Sequence, residues 1–208
     1  MKNLFTNLIL FIALSIAFSS FTACNTATTQ KGPVLDDAPN NSNTANANTD
    51  TAKTSKYPPA PSGIMQADIK DIDGNTFKLE DKKGKVILVN LWAIWCGPCI
   101  TEMPHLREMQ EKYKDKNFEV IGLNTGNEDY ETESNEKIKI FAEKQKLNYQ
   151  LGHSDEKMTG EFIKLSRQSG IPQSVLINRE GKTTGIFFGA GSRVINSMKE
   201  AVDKTVNE

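Results

Sequence analysis

The sequence predicts an α/β domain, and three features carry that expectation. Val86–Trp92 and Phe118–Asn124 are continuous apolar runs of the kind that form strands buried on both faces of a parallel sheet. Segments with apolar residues at helical spacing lie between and after them, so strands and helices alternate in a βαβ manner. Ahead of both, Asp73-Gly74-Asn75 is a hairpin-type turn signal between two alternating runs, Ile64–Ile72 and Thr76–Leu79, and predicts an added N-terminal β-hairpin.

A chain of 208 residues is long enough for one well-cored domain plus appendages. With 25 basic and 26 acidic side chains the formal net charge is −1, which gives no reason to expect a nucleic-acid or polyanion partner. Residues 1–24 hold Lys2, then an apolar run from Leu8 to Phe18, then small polar residues before Phe21-Thr22-Ala23-Cys24. The run is shorter than the ~20 apolar residues of a membrane span and reads as an export signal, residues 1–23. From Asn25 to about Ser55 the chain is Asn, Thr, Ala, Asp and Ser with almost no large apolar side chain. Such a composition cannot offset the entropy of ordering, so residues 24–58 are expected to form a disordered tether ahead of a domain at 59–208. About thirty flexible residues have an r.m.s. span of roughly 30 Å, enough to hold a domain clear of a bilayer.

Within the domain, Asp81–Lys85 is a polar turn into the strand Val86–Trp92. The strand runs into Trp95-Cys96-Gly97-Pro98-Cys99, and the following pattern (Met103, Leu106, Met109, Tyr113) is helical, with Pro104 expected to kink it. After Phe118–Asn124 comes a polar, acidic loop, Thr125–Asn135, longer than a usual connection. Glu136–Lys146 reads as a helix with Ile138, Phe141 and Ala142 inward, Tyr149–Leu151 as a short strand, and Met158–Leu165 as a further helix. Pro172 opens a β-branched strand, Arg179–Lys182 turns it into Thr183–Phe188, and Ser192–Val206 closes the chain as a helix.

The two cysteines sit where a strand gives way to a helix. A helix N-terminus carries free N–H groups and the positive end of the macrodipole, both of which favour a thiolate. Two thiols within one turn also close a disulfide, so the pair is read as a two-electron redox device. A structural zinc site needs four ligands, and beside this pair the chain offers only His105 and His153. Cys24 is left over.

WCGPC behind a hydrophobic strand resembles the thioredoxin superfamily, and more closely its extracytoplasmic TlpA/ResA-type branch, from about Ile64 to the C-terminus. Two details resemble the branch: Asn90 stands where thioredoxin has a buried Asp, and Glu102 lies three residues after the second cysteine. The resemblance implies a thioredoxin fold, with a central mixed β-sheet flanked by helices and the N-terminal hairpin added. It implies a cis peptide at Pro172, facing the cysteines. Cys96 is then the nucleophile at an exposed helix N-terminus, and Cys99 the more buried resolving thiol. Glu102 would take the proton of Cys99, against the plainer alternative of a carboxylate complementing the helix dipole. Trp95, Gly97, Pro98, Ile171 and Pro172 form the substrate-binding surface, Trp92 is core, and Asn90 supports from behind. Gln173 stands where the family more often has Thr. No cofactor is expected beyond the redox-active disulfide, and no metal.

Small residues before Cys24 resemble a bacterial lipoprotein cleavage site, with Phe21 where that pattern prefers Leu. Lipidation of Cys24 would place the protein in the bacterial cell envelope, attached to a membrane and facing the extracytoplasmic side. The expected partners are an exported protein disulfide and a membrane thiol-disulfide electron donor. The Gly-Pro dipeptide is thioredoxin's own, and thioredoxin sits near −270 mV against about −120 mV for a strong periplasmic oxidant. The implied activity is therefore reduction of exported protein disulfides, as in cytochrome c maturation. A thiol peroxidase and a copper or haem chaperone are the competing readings. Neither cysteine follows the Pro and Thr/Ser pattern of peroxiredoxins, and metal binding would have to recruit His153.

Overall fold

The computed structural model describes residues 55–129 and 131–208, which lie in a compact unit spanning Thr51–Glu208. The signal segment 1–23, Cys24 and nearly all of the tether lie outside the described residues. None of the described helices is long and apolar enough to cross a membrane.

The chain enters through α1 (Ser62–Met65), β1 (Ile69–Lys70) and β2 (Thr76–Phe77). It continues as β3 (Val86–Trp92), α2 (Gly97–Tyr113), β4 (Phe118–Asn124), α3 (Asn135–Gln145), β5 (Gln150–His153) and α4 (Glu156–Ser166). The last elements are β6 (Gln173–Ile177), β7 (Thr183–Phe188) and α5 (Ser192–Asn207). Five strands form one sheet in the order β5-β4-β3-β6-β7. β3, β4 and β5 are parallel, while β6 and β7 are antiparallel to their neighbours, so the central sheet is mixed as expected.

All seven residues of β3 are buried because helices cover both faces of the strand. Successive side chains point to opposite faces. Ile87, Val89 and Leu91 pack with Ile64, Ile69 and Phe162 on one side. Val86 and Leu88 pack with Leu106, Met109 and Val202 on the other. Asn90 and Trp92 continue this second row. A polar residue is thereby placed in the layer beneath α2, next to the reactive end of the strand.

The hairpin exists but is shorter than its sequence runs. β1 and β2 pair antiparallel, Ile69 with Phe77 and Lys70 with Thr76. Ile64 and Met65 belong instead to the helical turn α1: the Pro61 carbonyl accepts from both of their N–H groups, and both side chains are buried. Two adjacent inward side chains suit one face of a helical turn and break the alternation of a strand. Leu79 likewise leaves the strand and is fully buried at the start of a 3₁₀ turn, Leu79–Lys82, which covers part of the segment read as a polar loop. The hairpin docks on the edge of β5 through Asp71 opposite Gly152 and Ile72 N–H to the Leu151 carbonyl at 3.2 Å. Glycine is required there, since a Cβ on residue 152 would lie 2.8 Å from the Lys70 carbonyl oxygen.

Elsewhere the differences are at boundaries. α3 starts one residue early, where the Ser134 side chain caps it by accepting from Lys137 N–H. β5 runs on through His153, paired with β4. α2 continues through Pro104, whose missing N–H leaves the Ile100 carbonyl without an intrahelical donor.

Candidate active site

β3 delivers the chain to the sheet's C-terminal edge, and Ala93–Trp95 turn it into α2. Cys96 is the N-cap of α2, with extended backbone (φ −80°, ψ 97°), and its sulfur accepts from the Cys99 N–H at 3.2 Å. Gly97 and Pro98 fill the first helical positions, where proline's missing N–H costs nothing. Cys96 and Cys99 are joined as a disulfide with Cα atoms 5.3 Å apart. The two thiols are therefore in reach of one another without backbone rearrangement.

Gly97 and Pro98 are exposed, but Cys96 is only 4% exposed and Cys99 1%. The contrast between an open and a covered cysteine is thus smaller in the disulfide state than the helix-terminus argument suggests. Cys96 packs in one cluster with Trp92, Met103, Ile138 and Leu151, and Ile171 lies against that cluster. The Ile171–Pro172 peptide is cis. The Ile171 carbonyl oxygen is 3.8 Å from Cys96 Sγ, a contact that becomes a hydrogen bond only when the sulfur carries a proton. Pro98, Ile171, Pro172, Phe188 and Gly189–Gly191 line a shallow cavity of about 550 Å³, with the Gly189 N–H donating to the Pro172 carbonyl at 2.9 Å. The five predicted surface residues do not all share it. Trp95 is turned away, 43% exposed, with its indole N–H donating to the Gly126 carbonyl at 3.1 Å, and lines a separate groove of about 580 Å³ with Ile94, Ile140 and Phe141.

Glu102 is the carboxyl of the site and is 1% exposed. Burial pushes its carboxyl up from 4.5 to about 7, against the opposing effect of a hydrogen bond from Asn90. Asn90 Nδ2 donates to Glu102 Oε2 at 3.2 Å and to Ser174 Oγ at 3.0 Å, tying α2 to β3 and β6. The support expected of Asn90 is thus a direct bond. Ser174 was not legible in advance as part of the site; its position opposite Asn90 in the antiparallel β3–β6 register is the signal. Gln173 is buried and faces the loop rather than the cavity. Its amide donates to the carbonyls of Gly170 (2.6 Å) and Gln168 (3.1 Å), and its oxygen accepts from Ser166 Oγ (2.7 Å). The side chain that departs from the family pattern is therefore the one that fastens the segment leading into Pro172.

His153 is not with the cysteines. Its ring nitrogen lies 2.6 Å from Asn135 Oδ1, and it lines a cavity with Asn124, Thr125 and Ser154. Among the described residues no group of three or more His, Cys, Asp or Glu side chains is disposed to hold a metal ion.

A mixed sheet ordered β5-β4-β3-β6-β7, with a Cys-X-X-Cys disulfide capping the helix after its middle strand and a cis-proline loop beside it, defines a thioredoxin-fold protein. The chain belongs to the Redoxin family, which it matches over residues 37–202. It is 33% identical over 114 residues to the thiol-disulfide oxidoreductase ResA of Bacillus thuringiensis subsp. konkukian, covering 55% of this chain and 61% of that protein. It is 26% identical over 135 residues to the thioredoxin-like protein YneN of Bacillus subtilis, covering 65% and 74%. The chain thus spans somewhat under two thirds of the ResA relative's length. Among solved structures it resembles a thioredoxin-family thiol:disulfide interchange protein of Chlorobium tepidum TLS (24% identity, TM-score 0.59, 73% of this chain and 98% of that one). It also resembles the thioredoxin domain of a thiol-disulfide oxidoreductase from Bacteroides vulgatus (26% identity, TM-score 0.51, 65% and 92%).

Proposed function

We propose that the protein is an extracytoplasmic thiol-disulfide oxidoreductase that reduces disulfides of exported proteins. The observation that carries this reading is the Cys96–Cys99 disulfide at the N-terminus of α2, facing Ile171–Pro172 and backed by the buried carboxyl of Glu102. In the reduced protein Cys96 attacks as thiolate, favoured by the helix N-terminus. It bonds to one sulfur of the substrate disulfide, and the other substrate sulfur leaves as a thiolate and takes up a proton. Cys99 then loses its proton to Glu102 and attacks Cys96 Sγ. The Cys96–Cys99 bond forms, the mixed disulfide breaks, and the substrate departs with two thiols, having gained two electrons. The backbone of Ile171 and the ring of Pro172 hold the substrate segment extended beside Cys96, with Gly97 and Pro98 beneath it.

The sequence pattern at residues 1–24 supports export and attachment to a membrane through Cys24, and a membrane thiol-disulfide donor would then return the pair to the reduced state. Haem-attachment cysteines of c-type cytochromes are the substrate class that the TlpA/ResA resemblance favours. The test is Cys99→Ala expressed in the native host: it should accumulate mixed disulfides on Cys96, identified by mass spectrometry after non-reducing separation. Absence of trapped partners, or a pair potential above about −150 mV, well toward the strong-oxidant end of the scale, would overturn the reductase reading. Cys24→Ala should move the protein out of the detergent phase on phase separation, and unchanged partitioning would remove the lipid anchor.

A further inference from the structure

The two edges of the central sheet are finished differently. The β5 edge is covered by the hairpin, through Asp71 opposite Gly152 and the Ile72 N–H on the Leu151 carbonyl. The β7 edge is closed only where the strand begins: Pro59 bridges Lys182, the Thr183 N–H donates to the Pro58 carbonyl at 2.9 Å, and the Ala60 N–H donates to the Gly181 carbonyl at 3.0 Å. Among the described residues no strand pairs with the outer edge of β7 beyond that point. What the edge presents follows from the β6–β7 register. The Gly189 N–H donates to the Pro172 carbonyl at 2.9 Å, so these two residues form a hydrogen-bonded pair. Such pairs alternate with non-bonded ones in an antiparallel ladder. Gln173 opposite Phe188 and Val175 opposite Ile186 are therefore non-bonded pairs, and the N–H and C=O groups of Ile186 and Phe188 point outward. Side chains alternate too. Phe187 packs with Met198 and Val202 of α5, while Ile186 and Phe188 stand on the other face, each 41% exposed. Free backbone groups beside exposed apolar side chains are what edge strands ordinarily avoid. This open stretch ends at the reactive site: Phe188 lines the cavity with Pro98, Ile171 and Pro172, and its ring would meet a Cβ on Gly170 at 3.4 Å.

We propose that the outer edge of β7 at Ile186 and Phe188 is a docking surface for the polypeptide substrate, which adds to the sheet as a short extra strand beside its reacting cysteine. Strand addition takes its affinity from main-chain bonds, which any sequence supplies, and its preference from side chains at alternate positions. The substrate class is therefore an extended, unfolded segment with apolar residues at alternate positions, set against Ile186 and Phe188. Continuity with the cavity beside the cis proline selects this occupant, because a chain leaving Cys96 across Pro172 and Gly189 reaches the open edge directly. Once a substrate sulfur is bonded to Cys96 the docking is intramolecular, and a few bonds suffice to hold the segment. A second copy is the poorer fit. From Gly185 to Phe188 the open edge is about 13 Å long, and two such stretches would bury far less than the roughly 1,200 Å² at the lower end of stable interfaces.

The inference rests on the proposed exchange at Cys96, and two readouts keep the failure of one apart from the failure of the other. In the full chain carrying Cys24→Ser and Cys99→Ala, Cys96 is joined as a mixed disulfide either to a synthetic peptide with a central cysteine and valine at alternate positions or to cysteamine alone. Amide hydrogen exchange is then followed at Ile186 and Phe188. Both amides should exchange about tenfold more slowly in the peptide adduct, the worth of one hydrogen bond each, while Phe187, whose N–H faces β6, is unchanged. Equal exchange in the two adducts overturns the docking surface. So does protection in the peptide-free protein that grows with concentration as a dimer appears in sedimentation. The second readout is the rate at which the reduced protein attacks the peptide–cysteamine disulfide and, for comparison, cystamine. Ile186→Pro deletes an outward N–H without removing a bond to β6, and should slow the peptide reaction roughly three- to tenfold while leaving cystamine unchanged. A peptide rate that does not fall, or that falls equally with the cystamine rate, overturns the assignment. Failure of the unaltered protein to react with either disulfide removes the exchange reading instead, and the amide measurement still decides the edge. That measurement leaves β7 unaltered, so it also decides the matter should Ile186→Pro fail to fold.

Discussion

Glu102→Gln is expected to stabilise the protein above neutral pH and to change it little in mild acid. The carboxyl lies 1% exposed beneath α2 with Asn90 as its hydrogen-bond donor, and burial raises its pKa from 4.5 to about 7. In the unfolded chain the group ionises near its ordinary value. Between those two values the folded state holds a proton that the unfolded state has lost, so stability falls as pH rises through this window and levels off above it. The stabilisation of the neutral form is complete below about 4.5 and gone above about 7. The gap, at 1.36 kcal/mol per pH unit, amounts to about 3 kcal/mol. Gln keeps the volume and an acceptor for Asn90 but never carries the charge. It should therefore match the wild type near pH 4 and exceed it by up to about 3 kcal/mol near pH 8, or about 2–4 °C in Tm for each kcal/mol in a domain of this size. Urea unfolding of the oxidised forms at the two pH values, compared at equal m, measures this directly. An equal effect at both pH values, or a loss of stability at the higher one, would refute the reasoning.

Gln173→Ala removes three hydrogen bonds that fasten the segment before Pro172, so it should cost about 1–3 kcal/mol and raise hydrogen exchange selectively at residues 168–171. Unchanged exchange there would show the segment is held by other means. Gly152→Ala places a methyl 2.8 Å from a backbone oxygen of β1 and should lower stability by about 1–3 kcal/mol, with the hairpin's amides losing protection first. Asp71 organises the hairpin turn by accepting from the backbone N–H of Asp73 (2.9 Å) and Asn75 (2.8 Å) and from the Asn75 amide (3.0 Å). Burial pushes its carboxyl up but these donors outweigh that and hold it below its ordinary value, so its contribution is full above about pH 4 and is lost as pH falls further. Asp71→Ala should accordingly destabilise by about 1 kcal/mol at pH 7 and by less at pH 3, read from thermal melts.

What was readable in advance follows from what a local pattern encodes. Val86–Trp92 announces a strand covered on both faces because seven consecutive apolar-compatible residues have no solvent side to offer. Cys96, Cys99 and Glu102 are legible because they lie within one helical stretch at fixed spacing. Ser174 is not, since it meets Asn90 across 84 residues of chain through the β3–β6 register, and no nearby residue reports that pairing. Gln173 could be singled out as a departure from a pattern, but its direction was not readable, because the carbonyls it serves become available only once the loop at 168–170 folds back over it. The helical turn at Ile64–Met65 was lost to an alternation that the docking of α1 against α4 overrides. Trp95's orientation likewise depends on a loop 31 residues away.

The burial of Glu102 also bears on why a carboxylate stands three residues after Cys99 at all. A first-turn acid complementing the helix dipole gains about 0.3–1 kcal/mol when exposed, and the effect fades beyond the first turn. Glu102 lies past that turn, counted from the N-cap at Cys96, and its ionised form costs about 3 kcal/mol to bury. The dipole term is therefore several-fold too small to account for the placement, and an exposed position one residue away on the helix would collect the same gain without the cost. On the proposed function, a carboxyl pushed up to about 7, one helical turn from the covered Cys99, would be placed to take up that thiol's proton. On this account stability and exchange rate should move in opposite directions in Glu102→Gln: the variant that folds more firmly at pH 8 resolves its mixed disulfides more slowly. A variant gaining stability with no loss in resolution rate would return the side chain to the structural reading.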